Sequence, residues 1–116
     1  MTRVGLALVM AVTSSACWAT RISPSALTRY QASVRTAEAQ GAQGVPAARL
    51  HLELARHELA TAEQLASDGD PRAGLALACA QVDAEVSVAM AREALLHVDA
   101  LRAAVDLLAI QDKGGL

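Results

Sequence analysis

The sequence predicts an all-α protein, a long antiparallel helical hairpin of coiled-coil type with a break at residues 41–46. Two observations favour this fold class. Apolar residues recur at alternating steps of three and four along the chain, which is the spacing of a packed helix face. Proline and glycine divide the periodic stretches at positions where helices commonly begin and end.

Helix one begins after Ser23, a residue type that caps helices, because Pro24 suits the first helical position with its fixed φ and missing N–H. It is predicted to run to about Gln40. The break follows because Gly41, a second glycine and Pro46 cannot all lie inside a stable helix.

Helix two is predicted over residues 46–67, and Gly69 provides its C-terminal stop. Asp70 and Pro71 repeat the cap-and-proline signal for a third helix that reaches about Gln111. The helical domain therefore spans residues 24–111, and residues 112–116 form a predicted flexible tail.

One heptad-like row of residues on helix three, here called the first track, is predicted to pack against helices one and two. Its members are Ala73, Leu77, Ala80, Ala84, Ser87, Ala91, Ala94, Val98, Leu101, Val105 and Leu108. Folding helix two back pairs Ala62 with Leu77 and Ala55 with Ala84. If helix one continues in the same direction beyond the break, Val34 faces Val105, Gly41 faces Val98 and Tyr30 lies near Leu108. The alternative topology folds helix one back to form a compact three-helix bundle.

A second apolar row, here called the second track, lies nearly opposite the first, since two positions along a helix correspond to about 200° of rotation. Only Glu93 interrupts this row, which consists of Leu75, Cys79, Val82, Val86, Ala89, Leu96, Ala100, Ala103, Leu107 and Ile110. A helix that is apolar on two faces is expected to be covered on both. Either helix one folds over this track, or a second copy or partner protein binds it. The candidate partner face comprises Leu75, Val82, Val86, Leu96, Leu107 and Ile110.

The N-terminal segment resembles a bacterial lipoprotein leader. Arg3 precedes a short apolar run, and the small residues Ser15 and Ala16 come directly before Cys17. The run is too short to span a membrane, which takes about 20 apolar residues. Residues 1–16 are therefore a predicted signal peptide, Cys17 the lipidation site, and residues 17–23 a linker. The alternative is ordinary cleavage after Ala16 or Ala19, which releases a soluble exported protein.

Much of the mature chain resembles domain of unknown function 4398, a family of small bacterial envelope lipoproteins. The matching positions are Gly41, Ala42, Val45, Pro46, Leu50, Ala55, Leu59, Ala62, Gly69, Asp70, Ala73, Ala80, Asp83, Ala84 and Ala91. The resemblance implies a cell-envelope location and a helical architecture, and it implies no activity.

Composition and motifs favour a non-enzymatic protein that needs no cofactor or metal. The net charge is −2 and the basic residues are scattered, which argues against nucleic-acid binding. His51, His57 and His97 lack the glutamate–histidine spacing of helical metal sites; Glu53 and Glu93 make His57 and His97 surface pairs. Cys79 lies in an apolar row without C-x-x-C spacing and is predicted to be a buried structural thiol.

The predicted function is that of a helical scaffold or adaptor for another envelope protein. The protein would be anchored to a membrane by the N-terminal lipid and would face the periplasm. Two alternatives remain: a self-assembling structural spacer, and a soluble periplasmic or secreted carrier of an apolar ligand.

Overall fold

A computed structural model describes residues 21–115, which form three α-helices and one short 3-10 helix. The helices are α1 (Pro24–Ala39), α2 (Pro46–Ser67) and α3 (Ala73–Gly114), and the 3-10 helix Ala42–Gly44 lies between α1 and α2. The all-α class and the break at residues 41–46 are confirmed. The predicted signal peptide and Cys17 lie outside the described residues.

The helix boundaries follow local sequence signals closely. α1 and α2 begin at Pro24 and Pro46 as predicted, each after a residue with extended backbone. α3 begins at Ala73 rather than Pro71, because Asp70 folds the chain into a turn by accepting a 2.8 Å hydrogen bond from the backbone N–H of Arg72. Hydrogen bonds from Arg72 lower the pKa of Asp70 to about 2. At its other end, α3 continues to Gly114, so the predicted tail at residues 112–116 is mostly helical.

Two glycines in left-handed conformation end the first two helices. Gly41 has φ 81° and Gly69 has φ 71°, a backbone region that side-chain Cβ atoms disfavour. After α2, the N–H groups of Gly69 and Asp70 donate to the carbonyls of Ala66 and Leu65, which satisfies two free carbonyls at the helix end. The glycines therefore fix where the chain reverses.

Helix α1 folds back along the other two helices. Gln81 Nε2 donates to Ser33 Oγ at 3.3 Å, and Arg92 Nε donates to Gln40 Oε1 at 3.2 Å. Residue numbers therefore rise together along α1 and α3, so these two helices are parallel and α2 is antiparallel to both. Of the two topologies that the sequence left open, the structure has the three-helix bundle.

The core explains this topology. Tyr30 is buried in one cluster with Leu77 and with alanines from both α2 and α3, namely Ala55, Ala62, Ala80 and Ala84. The predicted positions of Tyr30 near Leu108, Val34 opposite Val105 and Gly41 opposite Val98 are therefore wrong. Small side chains on α2 and α3 leave room for the tyrosine ring between them, and burying a ring of that size releases much apolar surface from water.

The predicted register between α2 and α3 is confirmed. Ala62 and Leu77 lie in the same buried cluster, as do Ala55 and Ala84. Further along, Ser87 Oγ donates a 2.7 Å hydrogen bond to the Ala48 carbonyl, which satisfies the one polar side chain of the first track inside the bundle. Most contact positions are alanine, so the helices approach closely and bury little area per residue.

The second half of α3 extends past the bundle. Leu95 still lines a groove with Ala39 and Gln40 at the end of α1, and beyond it no other described helix lies beside α3. Every residue from Leu95 to Gly115 is exposed. We call residues 95–114 the overhang. At 1.5 Å per residue, the overhang is about 30 Å long and α3 as a whole about 60 Å.

Candidate interaction surface

The second track is open to solvent along α3. Of the candidate partner face, Val86 is half-buried, and the other five side chains are between 57 and 69 per cent exposed: Leu75, Val82, Leu96, Leu107 and Ile110. Helices α1 and α2 both pack on the opposite side of α3, where Leu77, Ala80 and Ala84 are buried. Of the two alternatives for the second track, coverage by helix one is therefore wrong.

The first track is also exposed once it leaves the bundle. Val98, Leu101, Val105 and Leu108 are 50 to 65 per cent exposed, although the same row is buried up to Ala91. Sequence reasoning missed this surface because it assigned helix one to cover it. The lengths of the helices could have predicted this exposed surface. Helix three is about 20 residues longer than helix two, so helix two cannot cover all of it.

Charged residues separate the two tracks on the overhang. Asp99, Arg102 and Asp106 lie on one side of α3, and Arg102 lies 3.8 Å from Asp99. Both side chains of this pair are about 70 per cent exposed, so the pair contributes little to stability. Its effect is to keep one strip of the overhang hydrated and to confine the apolar surface to two tracks.

Among the described helices, α3 alone is long and apolar enough to cross a membrane, by length and composition. A core helix of a soluble protein passes the same test. Here the first half of α3 packs one face against α1 and α2. The second half carries Asp99, Arg102 and Asp106, which are costly in a bilayer. We therefore interpret α3 as a bundle helix with an exposed extension.

A polar cluster lies across α2 and α3. His51 Nδ1 and Asp83 Oδ1 are 2.6 Å apart, and both side chains are partly buried. The nearby Glu58 has one carboxylate oxygen, Oε2, that is buried without a hydrogen-bond partner. His51 thus binds an acid on the neighbouring helix. Within the described chain, no hydrogen bond joins Glu53 to His57, although their spacing predicts a surface pair.

Burial raises the pKa of Glu58. The adjacent Asp83 raises this pKa further, because only protonated Glu58 can donate a hydrogen bond to that carboxylate and because the two negative charges repel, while His57 acts in the opposite direction. The folded protein therefore holds a proton on Glu58 more tightly than the unfolded chain does. Where the folded state binds more protons, stability falls as pH rises. Ionised Glu58 is thus a source of instability at neutral pH.

Replacing Glu58 with glutamine should raise the free energy of unfolding at pH 7 by about 0.5–1 kcal/mol, since an amide can donate to Asp83 without carrying charge. The measurement is urea unfolding followed by circular dichroism at several pH values. The gain should shrink as the pH falls toward the ordinary carboxyl pKa, where Glu58 is already protonated. A gain that is independent of pH would contradict this explanation, and Glu53→Gln on the exposed side of α2 is the control.

Cys79 is exposed, so the prediction of a buried structural thiol is wrong. Its side chain lines a shallow groove between α2 and α3 together with Glu58, Leu75 and Val82. The thiol faces outward because it belongs to the second track. Cys79 therefore extends the apolar interaction surface.

Neither a metal centre nor a known relative identifies the protein's activity. Within residues 21–115, no group of three or more histidine, cysteine, aspartate or glutamate side chains is placed to hold a metal ion. Comparison with protein-family models, curated proteins and solved structures finds no match to this chain. The resemblance to domain of unknown function 4398 therefore stays a prediction.

Proposed function

We propose that this protein is a non-enzymatic scaffold or adaptor of the bacterial cell envelope that presents the second track of α3 to another envelope protein. One observation carries the proposal. The exposed part of the second track runs along a single continuous helix from Leu75 to Ile110, which is about 50 Å. Large exposed apolar patches on soluble proteins commonly mark interaction sites.

The bundle supports this role by holding one end of α3 rigid. α1 and α2 cover the first track up to Ala91, so the second track keeps one orientation relative to the bundle. A preformed helical face loses little conformational entropy when a partner helix binds. The open face therefore suits recognition of an amphipathic helix or a second helical bundle.

The proposed lipid on Cys17 would give the surface a direction. Ser33 lies level with Gln81 in two parallel helices, so Pro24 at the start of α1 lies near the α2–α3 turn. Only six residues lie between Cys17 and Pro24. A lipid at Cys17 would hold this end of the bundle close to the membrane, and the overhang would extend toward the periplasm.

The proposal is tested by placing a photo-crosslinking amino acid at Leu107 of the full-length protein in its native bacterial host. We expect one discrete adduct in the membrane fraction, and a mature protein that begins at an acylated Cys17 by intact mass. Leu96→Glu in the same chain should reduce the adduct at least tenfold, because a charge on the second track would have to be desolvated in the interface.

The matched control carries the photo-crosslinker at Asp106, which is adjacent to Leu107 but lies on the charged strip. Equal adducts at both positions would contradict docking on the second track. Circular dichroism of Leu96→Glu should be unchanged because Leu96 is exposed. An unmodified, soluble mature protein would contradict the anchor and leave the docking surface to be judged on the adducts alone.

A further inference from the structure

We propose that the overhang pairs with the overhang of a second copy of this chain, antiparallel, through Val98, Leu101, Val105 and Leu108 of the first track. The dimer uses the face of α3 opposite to the second track. It therefore does not rest on the proposed adaptor function, and one chain can engage both surfaces at once.

The first argument is that this face continues a row of residues that is already packed inside the bundle. We call the four residues at which the two copies would meet the seam: Val98, Leu101, Val105 and Leu108. Ala84, Ser87 and Ala91 are buried against α2, and the same row emerges from the bundle at Val98. Residue size changes at this point. Inside the bundle the row is mostly alanine, and so is the face of α2 that packs against it. On the overhang the row alternates valine and leucine, which pack well against a similar helix.

The second argument is steric and decides the direction of the pair. α1 and α2 cover the first-track side of α3 up to about Ala91. A parallel partner would bring its own bundle to the same level and collide with them. An antiparallel partner lies in the space beyond Pro46, where α2 begins, and its own bundle lies past Gly114. The partner's overhang then continues the line of α2.

The third argument is the match of side chains in this arrangement. With the two-fold axis level with Ala103, Val98 lies opposite Leu108 of the second copy, and Leu101 opposite Val105 of the second copy. Each layer contains one valine and one leucine, and the two-fold axis generates four such layers. The pair is isologous, so it closes as a dimer.

The residues that flank the seam do not oppose pairing. Leu95, Ala104, Ala109 and Gln111 are uncharged, and the flanking Arg102 lies 3.8 Å from Asp99 in its own chain. Asp99 and Asp106 lie on the charged strip, outside the seam. Asp112 is the next position of the same row, and in this register it lies opposite Ala94 of the second copy, so it does not face another acid across the pair.

The apolar area that the two overhangs can bury sets the expected affinity of the dimer. Burying one large aliphatic side chain removes roughly 100 Å² from water, so half-exposed first-track residues offer on the order of 300 Å² of apolar surface per chain. This is below the roughly 800 Å² per partner of a standard interface, so we expect a weak dimer with a dissociation constant of about 1–100 μM. In the antiparallel pair the N-terminal ends of the two bundles lie about 90 Å apart at 1.5 Å per residue, so the pair forms between chains that lie along a membrane surface or that are not anchored.

Disulfide trapping in the cell envelope tests both the pair and its direction. Full-length chains with Cys79→Ser carry either Leu101→Cys or Val105→Cys, each with a different epitope tag, and are produced together. We expect oxidation to link the two differently tagged chains at least tenfold more than it links identical chains. Preferential linking of identical chains would overturn the antiparallel arrangement. The matched control combines Leu96→Cys with Ile110→Cys, which occupy equivalent levels on the opposite track and should not crosslink.

Sedimentation equilibrium of the mature protein in mild detergent gives a second readout. Leu101→Glu should weaken dimerisation at least 100-fold, whereas Leu96→Glu on the second track should leave it unchanged. Both residues are exposed, so neither change should reduce helicity. A protein that stays monomeric at about 1 mM, well above the expected dissociation constant, would overturn the proposal. Loss of dimer in both variants would also overturn it, because it would place the contact on the wrong face.

Discussion

Tyr30→Ala should detach α1 from the bundle and lower the free energy of unfolding by about 3–5 kcal/mol, the usual cost of truncating a buried aromatic residue. Tyr30 is 4 per cent exposed and is the large side chain that α1 contributes to the buried clusters. Its burial also raises the pKa of the phenol. The other fully buried residue of α1, Ala37, is small, and Leu27 and Val34 pack against the clusters while only partly buried. The loss should therefore concentrate in α1.

Hydrogen exchange can separate this local effect from general unfolding. In Tyr30→Ala, amides of α1 should lose protection, while amides in the middle of α2 and in residues 77–91 of α3 keep part of theirs. Tyr30→Phe is the control, because it retains the ring and should cost little. Equal loss of protection in all three helices would contradict the idea that Tyr30 acts mainly as the anchor of α1.

Leu52→Ala should destabilise the protein by about 2–5 kcal/mol. Leu52 is fully buried and packs in the cluster with Ala37, Ala48 and Ala91. Its neighbours are mostly alanines, which cannot extend into the space that the lost side chain leaves. A cavity should therefore remain, and the cost should lie toward the upper end of the range. The measurement is urea unfolding at pH 7, where two-state analysis applies to a domain of this size.

Leu50→Ala is a matched control for this prediction. Leu50 lies two residues away on the same helix and is 55 per cent exposed. Helix propensity is nearly the same in both variants, so the difference between them isolates burial. A similar loss in Leu50→Ala would contradict the assigned packing of α2 and would indicate that a partner covers Leu50.

Local sequence signals were sufficient for the helices and for one helix pair. Pro24 and Pro46 mark the starts of α1 and α2, and Gly41 and Gly69 end them because only glycine adopts positive φ without strain. The α2–α3 register could be predicted because a short turn leaves a single antiparallel alignment of two apolar rows. These features depend on residues that are close in sequence.

The direction of α1 could not be predicted in this way. The heptad spacing of α1 fits the first track equally well along either half of α3, because a periodic row repeats the same surface every seven residues. Tyr30 distinguishes the two positions only when α2 and α3 are present together to enclose its ring. For the same reason, the burial of Cys79 was predicted wrongly: an apolar row is buried only if another element covers it.

The sequence by itself determined the all-α class, the ends of α1 and α2, the register of α2 on α3 and the two-sided apolar character of α3. Only the tertiary structure decided which parts of those two sides stay open. By folding back, α1 covers the first track near Leu77 and leaves both tracks of the overhang exposed. Helix formation is a local property of the backbone and its side chains. The exposure of an apolar face depends on which distant segments pack against it.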